Sequence, residues 1–213
     1  MGMPHPTPLI QIMAASEDQT MNTFRPLRIM LKHDNFAGRA GVGQQFIVLP
    51  GDGRIEAVTS SALSRLGNPI TFGLLDETGM YTRANKLLGV GQIMRRGLAG
   101  MSGRSIETTN AYDPADGSYA QLTAESASED IFKHHVQAPA SLSYGNRRDR
   151  RKIHKQVYAG SAHVDLDAVE AEAAELLTTD PATAERFYGN RIVAAFDQWV
   201  PPELWEGALR EKP

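Results

Sequence analysis

The chain has 213 residues, of which 41% are hydrophobic and 22% charged, so it can fold as one domain or as one domain with a small satellite. Its net charge of -3 gives no bulk sign of a nucleic-acid-binding protein, although a local basic patch is compatible with one. The absence of cysteine excludes disulfides and zinc-thiolate sites. Neither an apolar run long enough for a membrane helix nor a secretory signal is found in the sequence.

The first 60 residues alternate between strand and helix patterns. Residues 9–14 form a short apolar run, which predicts a buried strand. A serine followed by two acids then predicts the start of a helix over residues 20–32. After a glycine-rich loop at residues 36–43, turn residues between two apolar runs predict a β-hairpin formed by residues 45–49 and 54–59.

The alternation continues as far as Pro139. Residues 70–75 are the most apolar strand candidate in the chain. We expect a helix over residues 82–94 and further strands over residues 105–111 and 131–136. Strands that alternate with helical segments are typical of an α/β sheet with parallel members.

Beyond Pro139 the patterns are helical only. They predict a basic helix over residues 146–158 and an acidic amphipathic helix over residues 165–177. An aspartate followed by proline starts a last helix, which we expect to reach about Gln198. We therefore divide the chain into an α/β part, residues 1–139, and a helical segment, residues 140–213.

Two carboxylates follow the most apolar strand directly. In open α/β sheets, ligands bind beyond the carboxyl ends of the strands, where Asp76 and Glu77 are expected to lie. Magnesium takes one or two carboxylates together with substrate phosphates, so Asp76 is a candidate magnesium ligand. Glu77 is a candidate base that orients and deprotonates an attacking water. The pattern alone is equally compatible with a core strand that ends at a solvated acidic turn.

A second polar strand end follows at Thr108, Thr109 and Asn110. Two hydroxyls and an amide can present donors to a phosphate oxygen or to a water. The gap after Glu77 is long enough for a crossover helix, so the two strands can lie parallel in one sheet. Taken alone, however, this motif is more often a plain strand end.

The predicted basic helix carries cations on one broad face. These are Arg147, Arg148, Arg151, Lys152 and Lys155. Such a face is a possible contact for DNA phosphates. Because charge runs usually mean solvation, we favour a solvated face that pairs with the acidic helix after Asp165.

Several motifs in a fixed order resemble the large terminases of tailed phages, especially those of actinobacterial hosts. They extend over nearly the whole chain: AASEDQT at 14–20, LPGDGR at 49–54, TSSA at 59–62, SRLGNP at 64–69, FGLLDET at 72–78, ETTN at 107–110 and ERFYGNR at 185–191. The resemblance implies an ATPase domain of the P-loop NTPase class, with a Rossmann-like sheet, followed by an RNase H-like nuclease domain.

The resemblance also implies roles for single residues. Asp76 is then the Walker B residue that binds Mg²⁺, and Glu77 is the catalytic glutamate. Thr108, Thr109 and Asn110 match the motif that couples ATP hydrolysis to movement. Arg65 lies in the arginine-bearing loop before Walker B and is a candidate for a role in the transition state.

The family further implies ATP as substrate and a homo-oligomeric ring acting on double-stranded DNA. The other partners implied for the ring are the terminase small subunit and the capsid portal. The implied location is a packaging complex on the procapsid in the host cytoplasm, with no membrane involved.

The sequence departs from the family in the loop that binds the phosphates of ATP. A P-loop ends in Gly-Lys-Ser/Thr, and no Gly-Lys pair occurs in the sequence. The chain therefore resembles a middle segment of the family, between Walker A and the nuclease domain, from a split gene, an interrupted gene or a shortened chain. We expect a P-loop NTPase-like sheet that lacks the P-loop strand, followed by a helical segment. We also expect that the chain alone does not hydrolyse ATP at a motor-like rate.

In motors of this type the Walker B strand lies beside the coupling strand, and the P-loop strand lies on the coupling strand's other side. We therefore expect residues 70–75 and 105–109 to pair in parallel. The far edge of the second strand should be free, or closed directly by residues 131–136.

Two other functions remain open from the sequence. The first is a metal-dependent nuclease or phosphatase that uses Asp76 and Glu77 without ATP. The second is a non-enzymatic remnant or assembly module that binds DNA or a partner terminase.

Overall fold

The structure is a computed structural model, and it describes residues 5–33, 36–58 and 68–194. The chain folds as two compact units. The first comprises residues 1–110 and 117–131, and the second comprises residues 111–116 and 132–213. No helix of the described ranges is long and apolar enough to span a membrane.

The first unit is built on a six-stranded mixed sheet. Its strands are β1 (Leu9–Met13), β2 (Gly41–Val42), β3 (Phe46–Val48), β4 (Arg54–Val58), β5 (Phe72–Asp76) and β6 (Arg104–Thr108). The strand order is β2-β3-β4-β1-β5-β6, and the last four strands are parallel, whereas β2 and β3 pair antiparallel. The predicted α/β class, the hairpin of β3 and β4, and the parallel pairing of β5 with β6 are confirmed.

Three helices cover the two faces of this sheet: α1 (Glu17–Met30), α2 (Leu87–Ala99) and α3 (Tyr119–Glu125). Ser16 caps α1 by accepting a hydrogen bond from the backbone N–H of Gln19. The helix predicted from residue 82 begins later, because residues 78–80 form a 3₁₀ turn and Lys86 has a positive φ of 66°.

The core lies on both faces of the sheet because neighbouring strand residues point to opposite sides. Ile12 of β1 packs in a cluster with Phe24 of α1. Met13, the next residue, packs instead in a cluster with Met94 of α2 and Tyr119. The first unit is therefore a three-layer α/β/α arrangement, with the carboxyl ends of β1, β4, β5 and β6 at one edge.

The second unit contains the helices α4 (Arg147–Val157), α5 (Leu166–Leu176) and α6 (Pro181–Gly189). Their N-terminal caps are the side chains of Asn146, Asp165 and Asp180. Ile153, Ala173 and Ala184 are fully buried between them. The three predicted helices are confirmed, but α6 ends at Gly189, where Asn190 adopts a left-handed conformation. Its predicted extension is wrong over residues 190–194 and otherwise lies outside the described residues.

The strand predicted over residues 131–136 is wrong. This segment pairs with no described strand, and the Phe132 side chain is 90% exposed. Two hydrogen bonds hold it to the end of α6, from Asn190 Nδ2 to the Val136 carbonyl and between His135 Nε2 and the Asn190 carbonyl. β6 is consequently the edge of the sheet, and no described strand closes its outer side.

Candidate functional site

The candidate site lies where β5 and β6 end. Asp76 is in register with Thr108, so the last residues of the two strands are direct neighbours. The Thr108 hydroxyl donates a 2.6 Å hydrogen bond to Asp76 Oδ1. The two polar strand ends singled out in the sequence are thus brought together in one place.

Glu77 follows in a left-handed conformation, with φ 57° and ψ 43°. Its backbone N–H donates to Asp76 Oδ1 at 3.1 Å. A non-glycine residue in this region is strained, and such strain concentrates at functional sites. Burial is the main cause that raises the pKa of the Glu77 carboxyl, and the negative charge of Asp76 raises it further. A carboxyl with a raised pKa is a stronger base once it is ionised.

Thr109 fixes the other side of this turn. Its side-chain oxygen accepts a 3.0 Å hydrogen bond from the backbone N–H of Gly79. The adjacent hydroxyls of Thr108 and Thr109 therefore bond to groups on either side of Glu77. Asn110 follows directly and is half-buried. A shift at the end of β6 would be transmitted to the acidic turn through these two bonds.

A buried tyrosine links the turn after Glu77 to β1 and α3 through hydrogen bonds. Tyr81 is fully buried, and its hydroxyl donates a 2.8 Å hydrogen bond to the Met13 carbonyl of β1. The Tyr81 carbonyl accepts from the backbone N–H of Tyr119 at 2.9 Å, which joins the turn to the start of α3. Burial raises the pKa of Tyr81, so its hydroxyl remains a neutral donor. Sequence reasoning missed this residue, because a single tyrosine in a polar segment gives no periodic signal.

The donor set suits magnesium bound mainly by phosphates. Within the described residues, no group of three or more histidine, aspartate or glutamate side chains could enclose a metal ion. Mg²⁺ commonly takes only one or two protein carboxylates and completes its shell with waters and substrate phosphates. Asp76, with Glu77 beside it, fits that requirement, and the hydrogen bonds from Thr108 and Glu77 fix the Asp76 carboxylate.

The predicted basic face occupies α4, and several of its cations are paired with acids. Arg151 bonds Asp167 of α5 at 2.8 Å, and Arg147 Nε lies 3.8 Å from Glu170 Oε1. Lys152 pairs with Asp149 at 3.2 Å, whereas Arg148 and Lys155 are exposed. This arrangement agrees with the favoured interpretation of a helix paired with its acidic neighbour. Arg65, the remaining candidate, lies outside the described residues.

Behind that face lies a buried ion pair that the sequence did not reveal. Arg150 bonds Glu170 through two hydrogen bonds of 3.1 and 2.7 Å and donates a third to the Tyr144 carbonyl. The Tyr144 hydroxyl lies 2.9 Å from His154 Nε2. Burial lowers the pKa of His154, an effect that the Glu170 charge opposes. These side chains join α4 to α5 at the centre of the second unit, which is a structural role.

The chain is similar to two curated mycobacteriophage proteins, each described as gene 13 protein. It is 26% identical over 234 residues to that of Mycobacterium phage D29 and 25% identical over 235 residues to that of Mycobacterium phage L5. Each alignment covers 96% of this chain but only 39% of the relative, so the chain spans about two fifths of these proteins. No protein-family model matches the chain.

Two solved structures share its fold. The HK97 bacteriophage large terminase has a TM-score of 0.68 at 16% identity, covering 94% of this chain and 43% of that one. The large terminase ATPase domain of Thermus phage P74-26 has a TM-score of 0.52 at 14% identity, covering 89% and 78%. The chain therefore has the fold of a phage large-terminase ATPase domain, which confirms the resemblance seen in the sequence. The two mycobacteriophage relatives agree with its expected link to phages of actinobacterial hosts.

Proposed function

We propose that this chain supplies the Walker B half of the ATP site in the large subunit of a phage DNA-packaging terminase. The observation that carries the proposal is the register of Asp76 with Thr108 at the carboxyl ends of two parallel strands. That arrangement puts a carboxylate and a hydroxyl at the position where open α/β sheets bind ligands.

Each residue then has a defined part. Asp76 holds the Mg²⁺ that accompanies ATP, directly or through water, and that ion neutralises charge on the phosphates. Glu77 orients the attacking water and accepts its proton, for which its raised pKa suits it. Thr108, Thr109 and Asn110 sense the phosphate and pass the change to the turn after Walker B. Arg65 stays a candidate for transition-state stabilisation.

The outer edge of β6, which pairs with no strand in the described part of the chain, supports the second half of the proposal. The 213 residues contain no Gly-Lys pair, so the phosphate-binding loop has to come from outside this segment. A P-loop strand added beside β6 would place that loop next to Thr108 and Asp76. An open strand edge presents unpaired N–H and C=O groups for such an addition.

The proposal extends to a wider role, which rests on the resemblance to large terminases. The assembled subunit would couple ATP hydrolysis to translocation of double-stranded DNA, as a homo-oligomeric ring that works with the terminase small subunit and the capsid portal in the host cytoplasm. A metal-dependent nuclease that uses Asp76 and Glu77 without ATP is less well supported, since the described residues offer no larger cluster of carboxylates.

Calorimetric titration of magnesium-ATP tests the nucleotide site. The chain alone should bind weakly, because two carboxylates without the loop's cations repel a triphosphate. A mixture with a fragment that carries a P-loop strand and helix from a terminase of this fold should bind tightly. Asp76→Ala should abolish that gain, with the exposed Asp116→Ala as a matched control. An unchanged affinity in the mixture would reject the proposed site.

A further inference from the structure

A long segment of the first unit contains cations and no acids. Residues 78–106 include Arg83, Lys86, Arg95, Arg96 and Arg104, but neither aspartate nor glutamate. All five cationic side chains are exposed. The segment covers the turn after Glu77, all of α2 and the start of β6, so the positive charge is concentrated on one part of a chain whose net charge is -3.

These cations differ in their partners from most cations of α4, of which only Arg148 and Lys155 form no ion pair among the described residues. Arg147, Arg150 and Arg151 of α4 all pair with acids of α5. Among the described residues, no ion pair involves Arg83, Lys86, Arg96 or Arg104. Arg95 is partly engaged: it hydrogen-bonds Tyr119, and its charge opposes the rise that burial causes in the pKa of Glu107. Arg104 begins β6 on the sheet face opposite α2, because its neighbour Ser105 meets the same side of Gly73 as Leu98 of α2 does. We call Arg83, Lys86 and Arg96 the α2 basic surface.

The exposed face of α2 also contains a glycine, Gly89, with free space around it. Leu87, Val90, Met94 and Leu98 are buried on one side of the helix, and Arg96 lies on the other. A Cβ at Gly89, on the exposed side, would meet nothing within 4 Å. Glycine inside a helix costs about 1 kcal/mol relative to alanine, and packing within the chain does not require it at this position. Such a glycine allows the backbone of a partner to approach closely.

We propose that the α2 basic surface binds the phosphate backbone of double-stranded DNA. The 13 residues of α2 extend about 20 Å, and duplex DNA presents one charge per about 1.7 Å, so the surface can meet several phosphates. The choice of DNA as the polyanion rests on the proposed function. The surface also lies close to the site along the chain, because Arg83 and Lys86 follow Gly79, which bonds Thr109.

The contact is sequence-independent in this account. Arginine and lysine side chains on phosphates position a protein on the duplex without reading bases. Binding should therefore depend strongly on salt and little on the DNA sequence. It requires no nucleotide, so it can be measured separately from the proposed ATP site.

The test is fluorescence anisotropy of a labelled duplex with the full 213-residue chain across a salt series. The variant Arg83→Ala/Lys86→Ala/Arg96→Ala should weaken binding at least about tenfold and flatten the salt slope by roughly one unit per lost contact. The control Arg147→Ala/Arg151→Ala/Lys155→Ala removes the same charge from α4 and should change the slope much less. Circular dichroism verifies that both variants are folded.

The outcomes separate the alternatives. A larger effect of the α4 variant, equal effects of both variants, or no salt-dependent binding by the unaltered chain would overturn the proposal. Binding of poly-glutamate in place of DNA would assign the surface to an acidic protein and would overturn it as well. None of these results depends on whether Asp76 and Glu77 serve an ATP site.

Discussion

Thr108 Oγ1 lies 2.6 Å from Asp76 Oδ1, and the two residues are the last in-register pair of the parallel strands β5 and β6. The bond therefore joins the residue proposed to hold magnesium to the first residue of the proposed coupling motif. It ties the acidic turn to the edge strand of the sheet, and it can be removed without changing the shape of either residue.

Thr108→Val replaces the hydroxyl by a methyl group of similar size and retains β-branching. We expect it to lower the free energy of unfolding by about 1 kcal/mol, the usual net value of a hydrogen bond. Thr108→Ser keeps the donor and should cost less. Urea denaturation followed by circular dichroism measures both variants. Equal stability of the valine variant and the parent chain would mean that the bond is not formed in solution.

Glu77→Gln should stabilise the chain at neutral pH. Burial and the Asp76 charge raise the pKa of Glu77, so folding disfavours its ionised form. The stabilisation that protonated Glu77 contributes is present at low pH and is lost as pH rises through the raised pKa. The melting temperature of the variant should therefore exceed that of the parent at pH 7.5 and approach it near pH 4. The exposed Glu172→Gln serves as control, and a pH-independent difference would contradict the explanation.

Glu170→Gln should destabilise the second unit strongly. Removing one charge of a buried pair leaves Arg150 uncompensated, which costs about 3–5 kcal/mol. Asp167→Asn breaks the exposed pair with Arg151 on the same helix and should cost less than about 1 kcal/mol. Chemical denaturation of both variants checks the contrast. Similar small losses would show that the Arg150–Glu170 pair is hydrated in solution.

Two glycines of α2 should respond oppositely to alanine. Gly89→Ala adds a methyl group where nothing lies within 4 Å and should stabilise the helix by up to about 1 kcal/mol. At Gly97, the same methyl group would lie 2.6 Å from the Asn68 carbonyl oxygen, so the substitution should destabilise. Thermal denaturation of the two variants measures the change in stability that each substitution causes. Stabilisation by both substitutions would mean that α2 does not pack against Asn68 as described.

Strands β1, β3 and β5 were predictable because they are mainly apolar and end at recognisable turn or site residues. The neighbouring positions of β5 and β6 followed from the resemblance, and the structure confirms them. Residues 131–136 have apolar residues at both ends and a lysine and two histidines between them, and this pattern does not reveal that the segment bonds to Asn190 instead of a strand. The short strand β2 was missed because Gly41 and Val42 lie in a glycine-rich segment that strand periodicity does not mark.

The residues of the proposed site could be named from the sequence, but their geometry could not. Asp76, Glu77 and Thr108 could be named from strand-end chemistry and the resemblance. The left-handed backbone of Glu77 and the support from Tyr81 depend on contacts between residues far apart in sequence, which no local pattern encodes. The sequence pattern does not mark the cations of the α2 basic surface because the three of them are spread over 14 positions, whereas five cations of α4 lie within the six positions 147–152.

The most direct test of the central claim measures phosphate release from ATP by the chain. The assay is run with and without a fragment that carries a P-loop strand and helix. The account predicts no motor-like turnover by the chain alone and turnover by the mixture. Glu77→Gln should reduce that turnover by about a hundredfold or more, the scale of a lost general base. Rapid turnover by the chain alone, or turnover by the mixture that Glu77→Gln leaves unchanged, would contradict the account.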